Sequence, residues 1–524
     1  LAWHPTERRI LIETTFGSVP QIHEVRGPGA ARTQLTFFRD GVPANSPAWY
    51  SPDGRYVLLR KDIAVGAEDI HLFRYDFETG VVTRITDGVT KAGVPVWAHK
   101  GPLVAYDSTR RDGKNRDIWI VDPANPKTSR MVAELQGSWN VLDWSADDKE
   151  LLVAEIVSPT ERHLWRMNVA TGEKKPFTER SVKPVVWRSA QIDRSGRHVY
   201  AFGNLNSENY RVWRAELATG KWTPMTPESD SVDGFALSPD GKLLAVVVDR
   251  DPVSELRFVD ATTGRVRATP KIPAGSILNL QWSPKSTEVA FTFQGGRTFR
   301  DVYSVDVLGT RLEQWTASET AAGNLQALPD AEVFRYKSFD GLDISAVMYR
   351  AATRFTGPRP VIINVHGGPT ERERPRNIGR SNHFRNDLGV TVIYPNIRGS
   401  SGRGSNFERL DNAQLREHAI KDIGALLDWI AAQPHLDQTR VMVAGGSHGG
   451  YIALASALYY GDRIRAATSV YGMTDLVDFL ETTDISRYEN RVGEYGDPAD
   501  PEMRKFLNSI SPLPNVNRFK VPVL

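Results

Sequence analysis

Short apolar strands separated by turn residues repeat along the first 320 residues of the chain. The units follow one another at a period of about 47 residues, which suits four short strands per propeller blade. Each unit carries a strand-to-turn landmark, and the seven landmarks are Trp3-His4-Pro5, Tyr50-Ser51-Pro52, Trp97-Ala98-His99, Trp144-Ser145-Ala146, Ile192-Asp193-Arg194, Leu237-Ser238-Pro239 and Trp282-Ser283-Pro284. The pattern therefore predicts an all-β, seven-bladed β-propeller over residues 1–320.

The same strand-and-turn order recurs inside the units. A turn such as Ser51-Pro52-Asp53-Gly54 precedes a β-rich run such as Tyr56 to Leu59, and a later Thr-Gly pair such as Thr79-Gly80 marks the next hairpin. Glycine in these turns permits the positive φ that a tight hairpin needs. The regularly spaced tryptophans are typical of packing between blades, and we assign them no chemistry.

The period changes at about Glu332, where apolar strands begin to alternate with helices. This alternation is typical of a doubly wound, mostly parallel sheet. It predicts an α/β-hydrolase domain over residues 332–524, joined to the propeller by a linker at 321–331. The predicted elements are strands at Val361–Val365, Val390–Tyr394, Arg440–Ala444 and Ala466–Val470, and an amphipathic helix that contains Leu415, Ala419, Ile423, Leu426 and Ile430 and stops before Pro434.

A nucleophile elbow is predicted at Gly445-Gly446-Ser447-His448-Gly449-Gly450, between the third of these strands and a helical run. Such a tight turn strains the backbone of the serine and leaves no room for side chains two residues before and after it. Gly445 and Gly449 meet that requirement. We therefore predict that Ser447 is the catalytic nucleophile and acyl acceptor.

An oxyanion loop is predicted at His366-Gly367-Gly368-Pro369, at the end of an earlier strand. Acyl transfer requires two donors to the tetrahedral oxyanion, and the backbone amides of Gly368 and His448 are the candidates. Two interpretations of the His366 ring stay open: that it shapes the loop or contacts substrate, and that it is an ordinary buried, hydrogen-bonded histidine. The His448 ring is not expected to be the base, because adjacent side chains on an elbow diverge.

Composition excludes several classes of partner. A net charge of +2, from 65 basic and 63 acidic side chains, provides no field for nucleic acid or an anionic membrane. The chain has no cysteine, and it lacks metalloprotease, P-loop and dinucleotide motifs, so no metal and no cofactor are expected. We read the arginine-rich stretch 372–385 as a solvated loop with rim contacts to a peptide carboxylate as the alternative. A cytoplasmic location is favoured, and a periplasmic or secreted one would require a removed N-terminal signal.

Taken together, the sevenfold repeat, His366-Gly367-Gly368-Pro369, Asn396-Ile397-Arg398-Gly399-Ser400 and the elbow resemble the prolyl oligopeptidase family of serine peptidases. The His-Gly-Gly-Pro form is most similar to its acylaminoacyl-peptidase and dipeptidyl-peptidase branch. The resemblance implies hydrolysis of short peptides without a cofactor, and a propeller that screens access to a cavity between the domains. It also implies that Tyr471 and Phe479 line the pocket for the residue before the scissile bond, with ordinary packing as the alternative.

The resemblance also bears on the triad. The family places its aspartate and then its histidine after the strand that starts at 521–524, so the hydrolase domain is expected to be truncated at its C-terminus and the 524-residue chain to be inactive by itself. Two alternatives to a peptidase remain at this stage. One is a carboxylester hydrolase that uses the same serine, and the other is a binding or scaffold protein without catalytic activity.

Overall fold

The computed structural model describes residues 1–43, 47–63, 69–158, 160–180, 183–250, 253–318 and 328–524. Most of the predicted linker, 321–327, lies outside the described residues. The described residues form two assemblies of strands, a ring of small antiparallel sheets followed by one larger mixed sheet.

The ring consists of seven four-stranded antiparallel sheets among the described residues, which confirms the predicted seven-bladed propeller. In chain order the sheets are β1–β4, β5–β8, β9–β12, β13–β16, β17–β20, β21–β24 and β25–β28. The strands are β1 (Ala2–Trp3), β2 (Ile10–Thr14), β3 (Gln21–Val25), β4 (Arg32–Gln34), β5 (Ala48–Tyr50), β6 (Tyr56–Asp62), β7 (Ile70–Asp76), β8 (Val82–Arg84), β9 (Val96–Trp97), β10 (Val104–Ser108), β11 (Asp117–Asp122), β12 (Asn125–Ala133), β13 (Ser138–Trp144), β14 (Glu150–Ser158), β15 (Glu161–Asn168), β16 (Lys174–Pro176), β17 (Trp187–Ile192), β18 (His198–Gly203), β19 (Arg211–Glu216), β20 (Trp222–Pro224), β21 (Ser231–Leu237), β22 (Leu243–Asp249), β23 (Ser254–Asp260), β24 (Val266–Ala268), β25 (Ser276–Trp282), β26 (Glu288–Gly295), β27 (Thr298–Asp306) and β28 (Leu312–Gln314).

Contacts between the first and seventh blades close the ring. Trp3 packs edge-on against Trp315 with ring centroids 5.2 Å apart, and its indole N–H donates to the carbonyl oxygen of Gln281. Arg8 forms an ion pair of 2.8 Å with the buried carboxylate of Glu288. The first landmark tryptophan therefore packs between blades.

The second assembly is a six-stranded sheet in the order β29-β30-β32-β31-β33-β34. Its strands are β29 (Ala331–Lys337), β30 (Asp343–Tyr349), β31 (Arg359–Val365), β32 (Thr391–Asn396), β33 (Leu436–Gly446) and β34 (Ala466–Val470). The helices around it are α1 (Asn382–Asn386), α2 (Ser405–Glu408), α3 (Arg416–Ala431), α4 (His448–Tyr460), α5 (Leu476–Glu481), α6 (Tyr488–Tyr495) and α7 (Pro501–Ile510). Strands β31 to β34 pair in parallel, as the α/β-hydrolase prediction requires.

Two strands of this sheet, β29 and β30, are absent from the sequence prediction. They pair antiparallel with each other, and β30 pairs antiparallel with β32 at the edge of the parallel core. The core itself lies between the sheet and the helices: Ile423 of α3 and Ile452 of α4 are fully buried, as the apolar periodicity of α3 predicts. This packing fixes β33 and α4, the two elements that flank Ser447.

Residues 522–524 lie alongside β34. The amide of Ala467 donates to Pro522 O over 3.1 Å, the amide of Leu524 donates to Ala467 O over 3.0 Å, and the amide of Ser469 donates to Leu524 O over 2.8 Å. Val523 and Ala467 form a parallel bridge. The apolar run at 521–524, predicted as the start of a strand, therefore pairs with the sheet edge.

Ion pairs hold the propeller against the second domain. Arg372 pairs with Asp233 and Asp249 of the propeller, and Arg374 also pairs with Asp233. A second contact joins Glu408 of α2, which is 1% exposed at its side chain, to Arg188 at 3.0 Å. The interpretation of this arginine-rich stretch as a solvated loop is thus wrong for Arg372 and Arg374, whose side chains are 12% exposed.

No helix in the described part of the chain combines the length and apolar character needed to cross a bilayer. The same residues contain no group of three or more His, Cys, Asp or Glu side chains arranged to hold a metal ion.

Candidate active site at the nucleophile elbow

Ser447 occupies the sharp turn between β33 and α4. Its φ of 53° and ψ of −120° place a non-glycine residue in a strained backbone region, and its side chain is exposed. The N–H of Ser447 donates to Val470 O over 2.9 Å, which ties the turn to the end of β34. Strain of this kind persists only where the surrounding structure holds it, and it concentrates at functional sites.

Two glycines make this turn possible. A Cβ on Gly445 would lie 2.3 Å from Gly449 O, and a Cβ on Gly449 would lie 2.1 Å from Val365 O and 2.6 Å from His366 O. Contacts below 3 Å are not tolerated by real side chains, and all three oxygens belong to the backbone. The elbow and the end of β31 are therefore packed backbone against backbone.

The helix that follows the serine directs unpaired amides toward it. The first N–H groups of an α-helix have no partner inside the helix and carry its positive dipole end. His448 is the first residue of α4, so its amide lies at that end, next to the hydroxyl of Ser447. This position suits an amide that stabilises negative charge developing on a substrate oxygen.

The His448 ring points into the protein. It is 1% exposed, and its Nδ1 lies 3.3 Å from the hydroxyl of Tyr495. Burial, reinforced by the nearby Arg416 guanidinium, holds the pKa of His448 well below its usual value. The ring therefore stays neutral and lies away from the exposed hydroxyl of Ser447, in agreement with the expectation that it is not the base.

A buried ion triad supports the start of α4 from below. Arg416 of α3 pairs with Asp411 and, at 2.7 Å, with Glu494 of α6, and all three side chains are buried. The Arg416 guanidinium also lies 4.4 Å from the ring centroid of Tyr495. Removing one member of such a triad would leave an uncompensated buried charge, so we assign it a structural role.

The predicted oxyanion loop packs against the elbow. A Cβ on Gly367 would lie 3.4 Å from Gly446 O and 3.6 Å from Ser447 Cβ. Gly368 is exposed and has a φ of 115°, and a Cβ there would lie 2.6 Å from the amide nitrogen of Glu371. Within the described residues the Gly368 amide donates no backbone hydrogen bond, so it is available to a ligand.

His366 is a buried, hydrogen-bonded histidine. Its Nδ1 lies 2.8 Å from Gly367 O, and its Nε2 lies 2.8 Å from Ser400 Oγ. Burial lowers its pKa, and the side chain has little access to solvent. Because both ring nitrogens are occupied, the candidate role of His366 in substrate binding is not supported, and the ring instead shapes the loop that carries Gly368.

The two candidate pocket residues differ sharply in accessibility. Tyr471 follows Val470, the acceptor for the Ser447 amide, and is 95% exposed with a φ of 53°. Phe479 lies on α5, where its ring packs edge-on against Tyr495 at 5.6 Å and under the Arg491 guanidinium at 4.4 Å. Tyr471 is thus free to contact a ligand, whereas the contacts of Phe479 agree with ordinary packing.

The sequence interpretation missed one side chain at this site, Glu371. Its Oε2 would lie 3.8 Å from a Cβ on Gly367, the same point that lies 3.6 Å from Ser447 Cβ. Glu371 also lines a cavity of about 550 Å³ between the second domain and the propeller, opposite Asp233 and Phe235. The only available signal was its position two residues after the His-Gly-Gly-Pro motif.

Family models match both parts of the chain. The model described as the N-terminal beta-propeller domain of prolyl oligopeptidase matches residues 46–318, about half of the chain. The model described as the prolyl oligopeptidase family matches residues 379–524, which include the elbow.

Individual relatives match at low identity over long stretches. Dipeptidyl aminopeptidase BIII of Pseudoxanthomonas mexicana is 25% identical over 497 residues, which cover 91% of this chain and 70% of that protein. The dual function macrocyclase-peptidase POPB of Amanita bisporigera is 24% identical over 371 residues, 66% of this chain and 49% of that protein. The chain thus spans less than the full length of both relatives.

Solved structures share the fold at still lower identity. A structure described as puromycin hydrolase superposes with a TM-score of 0.83 at 19% identity, covering 98% of this chain and 83% of that one. A structure from a study of two prolyl endopeptidases gives 0.84 at 18% identity, covering 98% and 77%. These likenesses concern the two-domain fold.

Proposed function

Since this chain belongs to the prolyl oligopeptidase family, we propose that it is a serine peptidase that hydrolyses short peptides through an acyl-enzyme on Ser447. The observation that carries the proposal is the exposed hydroxyl of Ser447 on a strained turn, between the N-terminus of α4 and the glycine loop that contains Gly368. Nucleophile and oxyanion donors must meet around one reacting carbonyl, and these elements are neighbours.

In the proposed reaction, Ser447 Oγ attacks the carbonyl carbon of the scissile peptide bond. The carbonyl oxygen becomes an oxyanion that accepts hydrogen bonds from the amides of His448 and Gly368. Collapse of this intermediate breaks the C–N bond and releases the amine, and water then hydrolyses the ester on Ser447. The serine proton must pass to a general base and from there to the leaving amine.

No described residue hydrogen-bonds to Ser447 Oγ. The tests therefore use the full-length natural protein that contains this chain. They ask whether Ser447 is the nucleophile, and which bond it cleaves.

The propeller is the reason to favour short peptides over esters. The cavity lined by Glu371 lies between the propeller and the second domain, and the two domains are joined by buried ion pairs across it. A substrate confined to such a cavity must be small or unfolded. The scaffold alternative would require Ser447 to be without reactivity despite its strained, exposed position.

A substrate panel distinguishes these possibilities. We expect full-length protein to hydrolyse p-nitroanilides of short peptides, to react with a fluorophosphonate at Ser447, and to lose both properties in Ser447→Ala. A protein that cleaves p-nitrophenyl acetate but no anilide would be an esterase instead. Absence of both labelling and turnover in correctly folded protein would contradict the proposal and favour a scaffold.

A further inference from the structure

Glu371 stands beside the nucleophile without a partner of its own. Its carboxylate oxygen and Ser447 Cβ both lie within 4 Å of the point that a Cβ on Gly367 would occupy, so the two side chains flank one glycine. Glu371 is exposed to the cavity between the domains. In the described part of the chain its carboxylate has no hydrogen bond and no ion pair.

The charged neighbours of Glu371 are all engaged elsewhere. Arg372 and Arg374 pair with Asp233 across the domain boundary, and Glu373 pairs with Arg376 at 2.9 Å. No cation of the same segment is therefore left to neutralise Glu371. A side chain that is solvated by default would not need this position, two residues beyond the oxyanion loop.

The position of this charge has a chemical consequence. The oxyanion proposed at Gly368 is negative, and a bare carboxylate nearby raises the energy of the transition state. A cation placed between Glu371 and the reacting carbonyl would reverse that effect. Because the arginines are engaged, the substrate itself is the source of that cation.

We propose that Glu371 binds the free α-ammonium group of the substrate, so that the enzyme removes amino-terminal residues from peptides. This inference rests on the proposed peptidase function and names its substrate class. The α-ammonium of an amino-terminal residue is separated from the scissile carbonyl carbon by one Cα, which fits the single glycine that separates Glu371 from Ser447. An acylated amino terminus carries no charge and would leave the carboxylate unpaired, at a cost in binding.

The test compares alanyl-p-nitroanilide with N-acetylalanyl-p-nitroanilide on full-length protein. Wild type should favour the free amine. Glu371→Gln should lower kcat/KM for the free amine about 10- to 100-fold, mainly through KM, as expected for one lost hydrogen bond to a charged group. The same variant should raise kcat/KM for the acetylated substrate several-fold, because it removes the charge that opposes the oxyanion.

Two further variants separate charge from structure. Glu371→Asp keeps the carboxylate and should retain the preference for the free amine. Glu179→Gln makes the same charge change at an exposed glutamate on the propeller and should alter neither substrate.

The inference is overturned if wild type prefers the acetylated anilide, or if Glu371→Gln lowers both substrates equally. In either case the peptidase itself stands, since anilides are cleaved. Failure of wild type to cleave any anilide would instead refute the proposed function.

Discussion

Gly449 lies against the carbonyl oxygen of Val365, so closely that a Cβ on the glycine would lie 2.1 Å from that oxygen. Val365 ends β31 and begins the loop that carries Gly368, whereas Gly449 follows the serine by two residues. This single backbone contact therefore sets the distance between the nucleophile and the oxyanion loop. It also explains why a glycine is needed beyond the strain at Ser447.

Gly449→Ala should lower kcat/KM of full-length protein by at least about 100-fold. The added methyl must push β31 and α4 apart, and misplacement of catalytic groups by about 1 Å has costs of that order. Turnover of a peptide anilide and the rate of fluorophosphonate labelling at Ser447 would both measure it.

Gly446→Ala is the matched control for this variant. The nearest atom to a Cβ on Gly446 is Val470 O at 3.6 Å, an ordinary contact, so the substitution should leave activity within a few-fold of wild type. Equal losses in the two variants would show that the elbow tolerates no methyl at all, and that the contact to Val365 is not decisive.

How far the sequence predicts this structure depends on the range of the interaction. The blade repeat, the parallel strands and the elbow follow from patterns only a few residues long, because turns, strand alternation and a strand-turn-helix are local. The engagement of Arg372 by Asp233 and Asp249 is not local. Charged side chains in a surface-like run give no signal for partners more than a hundred residues away, so the run was read as solvated.

The same reasoning applies within the candidate site. The glycines and Ser447 are predictable because backbone geometry demands them. Glu371 is not, since its importance arises from three separate facts of the fold: its nearness to Gly367, its place in the cavity and the engagement of its neighbouring arginines. Only the assembled molecule brings these together.

Glu408 is expected to stabilise the contact between the domains. It is buried, accepts a hydrogen bond of 2.7 Å from the Tyr210 hydroxyl and pairs with Arg188 at 3.0 Å. Glu408→Ala should destabilise the protein by about 3 kcal/mol because the Arg188 charge loses its partner, whereas Tyr210→Phe should cost about 1 kcal/mol. Chemical denaturation of each variant and of the double variant would measure both values and their coupling, and additive effects would contradict a shared network.

The buried His448 makes stability depend on pH in a defined direction. Its pKa in the folded protein lies well below the ordinary value of 6.5 because of burial. Below pH 6.5 the unfolded chain binds a proton that the folded chain excludes, so the stability contributed by neutral His448 is present above pH 6.5 and is lost as the pH falls toward its folded pKa. One such group changes the free energy of unfolding by at most about 1.4 kcal/mol per pH unit.

His448→Asn should therefore flatten the fall in Tm between pH 6.5 and pH 5. The control is His383→Asn, which replaces an exposed histidine on α1 and should leave the slope as in wild type. A steeper acid loss in His448→Asn than in wild type would show that the sign of this dependence is wrong.

The ion pairs of Arg372 and Arg374 should control the size of the substrate that reaches Ser447. Both guanidiniums bind Asp233 across the cavity lined by Glu371, so they hold the propeller over the site. Wild type should cleave a ten-residue peptide far faster than a folded protein. The double variant Arg372→Ala, Arg374→Ala should narrow that ratio at least about tenfold, because separating the domains no longer requires breaking buried charge pairs.

The exposed Arg380 of the same segment provides the control, and Arg380→Ala should keep the wild-type ratio. Each variant would be assayed on both substrates, so that a general loss of activity cancels in the ratio. If wild type cleaved the folded protein as fast as the peptide, the propeller would not screen substrates. If it did screen and the double variant kept the full ratio, closure would depend on other contacts, such as Glu408 with Arg188.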